Sequence, residues 1–263
     1  MAADASDAPR AWQSVLEHIE SQLLEGRLRP GDRLPGERAL SVELGVGRSS
    51  VREAIRVLEV LGLIRTQSGS GPSAGAIIIS TPGGGMSALM RLQVAASGFP
   101  VADIVRTRLI LEASVAGDLA DATPAPDLTA ADRLLDAMDS PTLTPQEFLA
   151  LDAAFHLALA EASGNQVITA TMAGLRSGIE GYALQGLAAL TDWHATSARL
   201  RTEHRGIVEA IRATDAAAAR TRIHDHISGY YAETFIDPAR IPATAAPTDP
   251  TAPTPTPTTT PAR

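Results

Sequence analysis

The sequence predicts a mainly α protein: an N-terminal winged helix-turn-helix followed by a C-terminal antiparallel bundle of about seven helices. Three observations carry this reading. Apolar residues recur at helical spacing through most of residues 10–237. The order helix, short strand, helix, glycine turn, helix, hairpin fills residues 10–80. No clear strand pattern follows that hairpin.

The first helix spans Arg10 to Glu25, where Trp12, Val15, Leu16, Ile19, Leu23 and Leu24 share the helical period and Gly26 is a stop signal. Residues 1–9 carry no such pattern and are expected to be disordered. Pro30-Gly31 is a turn dipeptide, and Asp32-Arg33-Leu34 suits a short strand before Pro35. Glu37 to Leu44 is the second helix, broken by Gly45-Val46-Gly47. Ser50 and Glu53 have capping-box spacing, which starts the third helix at Ser50 and carries it to Leu61. Leu63–Gln67 and Ala76–Ile79 are strands, joined by the glycine-rich Ser68–Pro72 as a hairpin.

Thr81 to Gly85 is a linker by composition. Helical patterns then occupy residues 86–97, 101–121, 128–138, 144–162, 166–191, 196–213 and 215–235. The short connections between them imply antiparallel packing within one domain, residues 86–237. In residues 238–263, 16 of 26 positions are proline or threonine, so this tail is expected to be disordered.

The chain has 263 residues and no cysteine, which excludes a disulfide framework, a thiolate zinc site and a cysteine nucleophile. The acidic N-terminus is no secretory signal, and no apolar run approaches the ~20 residues of a membrane helix. A soluble, cytoplasmic protein with no membrane partner is the expectation. The net charge of −8 taken alone opposes nucleic-acid binding, but its distribution does not. Residues 26–75 hold eight arginines against five acids, whereas residues 83–263 hold thirteen against twenty. Positive charge is needed only on the face that meets phosphate.

Arg48 and Arg52 bracket the start of the third helix, the end that enters a major groove in a helix-turn-helix. Arginine grips O6 and N7 of guanine with two hydrogen bonds. The free N–H groups of the helix start, with Ser49 and Ser50, suit a phosphate. The competing reading is a solvated helix face held by intrahelical ion pairs. The glycine-rich wing lacks the lysine of a P-loop, and no helix follows it. Over about fifty residues, from Arg33-Leu34-Pro35-Gly36-Glu37-Arg38 through Arg48-Ser49-Ser50-Val51-Arg52-Glu53-Ala54-Ile55, the segment resembles the GntR family of bacterial regulators. The resemblance implies that Arg38, Arg48 and Arg52 contact double-stranded operator DNA and that the wing glycines, Gly69 and Gly71, approach the minor groove. Two departures stand out. Gly36 replaces a serine usual in the family, and the wing from Ser68 to Ala74 has no basic residue.

Asp152 and His156, four residues apart on a helix, share one face about 6 Å apart along the axis. His204 and His226 sit on the two arms of the last helical pair, where antiparallel packing can bring both inward. Three imidazoles and a carboxylate suit a divalent metal such as zinc, nickel or manganese. An isolated Asp-x-x-x-His is more often an ion pair or a core histidine. Phe155-His156, Ala162-Ser163-Gly164-Asn165, Glu203-His204-Arg205 and His226 are similar to the FCD ligand-binding domain of the FadR subfamily. That resemblance implies that Asp152, His156, His204 and His226 hold the ion. It also implies that Arg108 faces a pocket and pairs with a ligand carboxylate; the alternative is an i,i+4 pair with Glu112. Asn165 has two readings, a helix cap or a ligand-binding residue. His194 and His224 fit neither pattern.

The sequence thus points to a ligand-responsive transcription regulator, a repressor in type, that senses a small carboxylate metabolite. It would act as a homodimer, because a palindromic operator needs two reading heads. A metal-dependent enzyme fused to a DNA-binding module is the competing class, but no general base accompanies the four ligands and no Glu-x-x-His repeat is present. Removal of residues 238–263 is expected to leave folding and operator binding intact. A truncated chain that loses either one shows that the tail docks.

Overall fold

The structure, a computed structural model, describes residues 10–67, 75–79, 84–96 and 99–234. The N-terminal unit contains α1 (Ala11–Leu24), α2 (Glu37–Leu44), α3 (Arg48–Val60), β1 (Ile64–Gln67) and β2 (Gly75–Ile78). The strands pair antiparallel, with Ile64 opposite Ile78 and Gln67 opposite Gly75. Val15, Ile19, Leu40, Val51, Ala54, Leu58, Ile64 and Ile78 are buried together as its core. Asp32–Leu34 forms a single bridge, Arg33 to Ile77, rather than a full strand. The Leu34 N–H donates to Ala76 O at 2.9 Å, and Pro35, with no N–H to give, ends the pairing.

Helix α3 starts two residues before the expected Ser50. Gly45 closes α2 in the left-handed region (φ 65°), and the extended Gly47 is the N-cap of α3. Glycine serves as an N-cap with little loss, so the Ser50–Glu53 capping box is not needed. Ser50 is instead the third residue of the helix, and its N–H bonds to Gly47 O at 3.0 Å. The wing tip, 68–74, with Gly69 and Gly71, lies outside the described residues, as do the expected disordered ends.

The C-terminal unit contains, among the described residues, α4 (Gly84–Ala95), α5 (Val101–Asp121), α6 (Thr129–Met138), α7 (Pro145–Ala162), α8 (Gln166–Gly186), a 3-10 turn (Leu187–Ala189), α9 (Trp193–Arg212) and α10 (Ala216–Glu233). Helix α5 is central and packs against α7, α8, α9 and α10. Phe148, Phe155, Leu159, Leu200, Ile207, Ile211, Ile223 and Ile227 fill the main core. A second cluster, Ile104, Met172, Leu175 and Ile179, lies beneath α4.

Three boundaries differ from expectation. Gly84 and Gly85, read as linker, are the first residues of α4. Gly85 lies so close to the Leu61 carbonyl that a Cβ would overlap it, so close packing outweighs glycine's poor helix propensity. Helix α9 begins at Trp193 because Asp192 Oδ1 accepts from Ala195 N at 3.0 Å. Helix α8 closes at Gly186, which packs tightly on the Thr234 side chain. No helix among the described residues is long and apolar enough to cross a membrane.

Candidate metal centre and DNA-reading face

Four side chains from three helices converge inside the C-terminal bundle. Asp152 and His156 come from α7, His204 from α9 and His226 from α10. One ligand atom from each lies within 4.8 Å of all the others, and all four residues are buried. His204 Nε2 is 3.0 Å from Asp152 Oδ1 and 3.1 Å from His226 Nε2. His226 Nε2 is in turn 3.2 Å from His156 Nε2.

These distances test the fit to an ion. Ligands about 2.1 Å from a zinc-like metal sit about 3.0–3.4 Å from their neighbours and about 4.2 Å across it. The three shortest spacings fall in the range for neighbours, and Asp152 lies 3.8 Å from His226 Nε2 and 3.9 Å from His156 Nε2, between the neighbouring and the opposite spacing, so the group could hold a metal ion. With Nδ1 of His156 and of His226 each turned to a carboxylate, their Nε2 lone pairs face one another at 3.2 Å unless an ion lies between them.

Two of the three outward ring nitrogens meet carboxylates. His156 Nδ1 meets Glu112 Oε2, and Glu112 Oε1 accepts from Arg108 Nε at 2.7 Å. His226 Nδ1 is 2.8 Å from Glu203 Oε2. His204 Nδ1 has no hydrogen-bond partner among the described residues; its ring lies against Phe155, with centroids 4.7 Å apart.

Electrostatics follow from this packing. Burial pushes both His204 and His226 down, and the neighbouring His204 helps to bring His226 to about 4. Burial opposes the charge on Asp152, but the His204 hydrogen bond and the surrounding imidazoles outweigh it and hold the carboxyl well below its ordinary range. Burial likewise opposes ionised Glu112, yet Arg108 and His156 bring it to about 2.

A pH dependence follows. In the unfolded chain these histidines take up protons near pH ~6.5, while in the fold they stay neutral to lower pH. Stability is therefore full above about 6.5 and falls as pH drops toward the His226 value of about 4. Glu112 acts in the same direction, with its contribution present above its ordinary 4.5 and lost as pH falls through about 2. The melting temperature of metal-free protein should decline between pH 6.5 and 4; a flat profile there contradicts the arrangement.

For Arg108 the i,i+4 reading holds. It pairs with Glu112 and also lines a small cavity with Asp152, His226, Tyr230 and Tyr231. That cavity has room for roughly one water molecule. Asn165 is not at this site. It is exposed, and its Oδ1 caps α8 by accepting from Val167 N at 3.1 Å and Ile168 N at 3.2 Å. His194 and His224 are exposed. The sequence named Glu112 and Glu203 but did not foresee that they meet imidazoles. Tyr230 and Tyr231 carried no signal beyond helical period.

In the N-terminal unit, Arg48, Ser49 and Arg52 are exposed on α3 and Arg38 is exposed on α2. Ser50 is partly buried. Arg52 forms a two-point ion pair with Glu37 of α2, Nη2 to Oε2 at 2.7 Å and Nε to Oε1 at 3.1 Å. This pair runs between helices, not along one, and it fixes the direction of the Arg52 side chain. The Arg52 hydrogen bond lowers the Glu37 pKa.

Comparison with known proteins places both units. Residues 12–72 match the gntR family of bacterial regulatory proteins, and residues 103–229 match the FCD domain. The chain is 30% identical over 216 residues to the HTH-type transcriptional regulator LutR of Bacillus subtilis, covering 79% of this chain and 97% of that protein. It is 27% identical over 221 residues to a putative L-lactate dehydrogenase operon regulatory protein of Escherichia coli, covering 83% and 84%. It is 28% identical over 220 residues to the HTH-type transcriptional repressor NanR of Klebsiella aerogenes, covering 82% of each. Among solved structures, Streptococcus agalactiae GntR superposes with a TM-score of 0.54 at 25% identity, covering 83% of this chain and 98% of that one. These relatives are regulators rather than enzymes. A gntR-type DNA-binding head joined to an FCD domain makes this chain a member of the GntR family of bacterial transcription regulators, in its FadR-like branch.

Proposed function

We propose that this ligand-responsive regulator is a homodimeric repressor whose C-terminal domain holds one divalent metal on Asp152, His156, His204 and His226 and senses a small carboxylate there. The observation that carries the reading is the convergence of three buried imidazole Nε2 atoms and one carboxylate within 4.8 Å. Zinc, nickel and manganese all accept such a donor set. When bound, the ion supplies a positive centre with positions left for water or an effector carboxylate. Arg108, which lines the same cavity, would take the other end of the anion. The name of the Escherichia coli relative, which refers to an L-lactate dehydrogenase operon, agrees with a small acid as effector.

The size of the cavity supports a switch. A site with room for about one water must widen to admit a metabolite. An effector therefore binds the widened form better than the closed one and shifts the population between them. Only such unequal binding can alter affinity at a distant DNA-reading face.

At that face, Arg48 and Arg52 read base edges, Arg38 meets phosphate, and Ser49 and Ser50 receive a phosphate at the start of α3. Gly69 and Gly71 of the wing approach the minor groove. The exposed arginines on one side of α3 support this reading.

The test is binding of the protein to DNA from upstream of its own gene, with zinc, with a chelator, and with a panel of small carboxylic acids. Binding that responds to one acid only when metal is present supports the reading. Binding indifferent to metal and to every acid counts against it.

A further inference from the structure

The structure assigns Glu203 a role in positioning the metal-binding ring of His226, an inference that rests on the metal reading above. Glu203 precedes His204 on α9, yet its carboxylate faces α10: Oε2 lies 2.8 Å from Nδ1 of His226. The opposite nitrogen of that ring, Nε2, points into the cluster, 3.1 Å from His204 Nε2 and 3.2 Å from His156 Nε2. An imidazole whose Nδ1 donates to a carboxylate keeps its proton there. Its Nε2 lone pair is then free for an ion, and the negative charge behind the ring makes that lone pair a stronger donor.

Glu203 is itself held from behind. Its Oε1 accepts from Arg199 Nη1 at 2.5 Å, and Arg199 Nη2 donates to Glu233 Oε2 at 2.7 Å. Arg199 and Glu233 line an open surface cleft, so this chain of contacts runs from the solvent to the centre of the bundle. A plain i,i+4 surface pair between Arg199 and Glu203 would satisfy both side chains without involving His226. The second carboxylate oxygen, directed at the ring, is what sets the contact apart.

The three imidazoles are thereby unequal. His156 is backed by Glu112, which is as buried as the ring itself and paired with Arg108. Among the described residues, no carboxylate accepts from His204 Nδ1. His226 is backed by Glu203, whose side chain is 27% exposed, so this is the one buttress that can be replaced without stranding a charge in the core.

The test uses the full-length chain, stripped of metal, titrated with Co2+ and then with Zn2+ as competitor. Parent, Glu203→Gln, Glu203→Ala and Glu209→Gln are compared; Glu209 is an exposed acid on the same helix. Glu203→Ala should lose about 10- to 100-fold in metal affinity. Glu203→Gln, which keeps an acceptor but not the charge, should fall between it and the parent. The visible d–d bands of bound Co2+ should move in both variants, while Glu209→Gln matches the parent. A merely structural contact would lower the melting temperature of the metal-free variants and leave the Co2+ spectrum alone. If Glu203→Ala does not fold, the glutamine variant decides. Parental affinity and spectrum in the Glu203 variants overturn the inference and leave the metal site standing. A parent that binds neither ion overturns both.

Discussion

Chelation of the metal should lower the melting temperature of the C-terminal domain by about 5–10 °C, and His204→Ala should abolish the difference. The ion binds the folded state, so at a free concentration of about 100 times its dissociation constant it stabilises by about 2.7 kcal/mol. Each kcal/mol moves the transition of a domain of this size by about 2–4 °C. His204 is fully buried and bonded to Asp152 at 3.0 Å, so its truncation also weakens the metal-free fold. The comparison is therefore made within each protein, with and without metal. Differential scanning calorimetry of both pairs checks it; a parent indifferent to chelation contradicts the site. The same variant should still bind DNA but no longer respond to the effector.

Arg48→Ala and Arg52→Ala should each weaken binding to the preferred operator by about 1–3 kcal/mol, roughly 5- to 150-fold, and relax base preference. Arg52→Ala should be the more damaging of the two. It removes a guanidinium and leaves the Glu37 carboxylate unpaired beside α3, where its charge would repel phosphate. Adding Glu37→Gln to Arg52→Ala should then recover part of the loss. Arg38→Ala should act more evenly across sequences and reduce the salt slope by about one. Fluorescence anisotropy on duplexes selected from a random library provides all four measurements. Parental binding by both α3 variants removes that helix from the reading role.

Much of this was legible in the sequence because it depends on short-range rules. The i,i+4 spacing of Asp152 and His156 fixes them on one face of α7 whatever surrounds it. The apolar period located all seven C-terminal helices, and Gly26 and Gly45, in the left-handed region, lie where α1 and α2 end. What stayed hidden depends on how helices cross. Glu203 and His204 are neighbours in sequence and point about 100° apart on a helix. Nothing local says that Glu203 reaches His226 across the α9–α10 pair. The Arg52–Glu37 pair joins residues fifteen apart on two helices, so intrahelical spacing could not reveal it. The early start of α3 was missed for another reason: a favourable box at Ser50 competed with an adequate glycine cap at Gly47, and the helix longer by two residues won. Of the two readings of Asn165 the helix cap is the one the structure shows, because its side-chain oxygen accepts from two backbone N–H groups at the start of α8.

The central claim is that one divalent ion sits on Asp152, His156, His204 and His226. Elemental analysis of purified protein, before and after dialysis against zinc, nickel or manganese, tests it most directly. The account predicts close to one metal per chain in the parent and none retained by His204→Ala. A parent that holds no stoichiometric metal, and is not stabilised when any of the three is added, contradicts it.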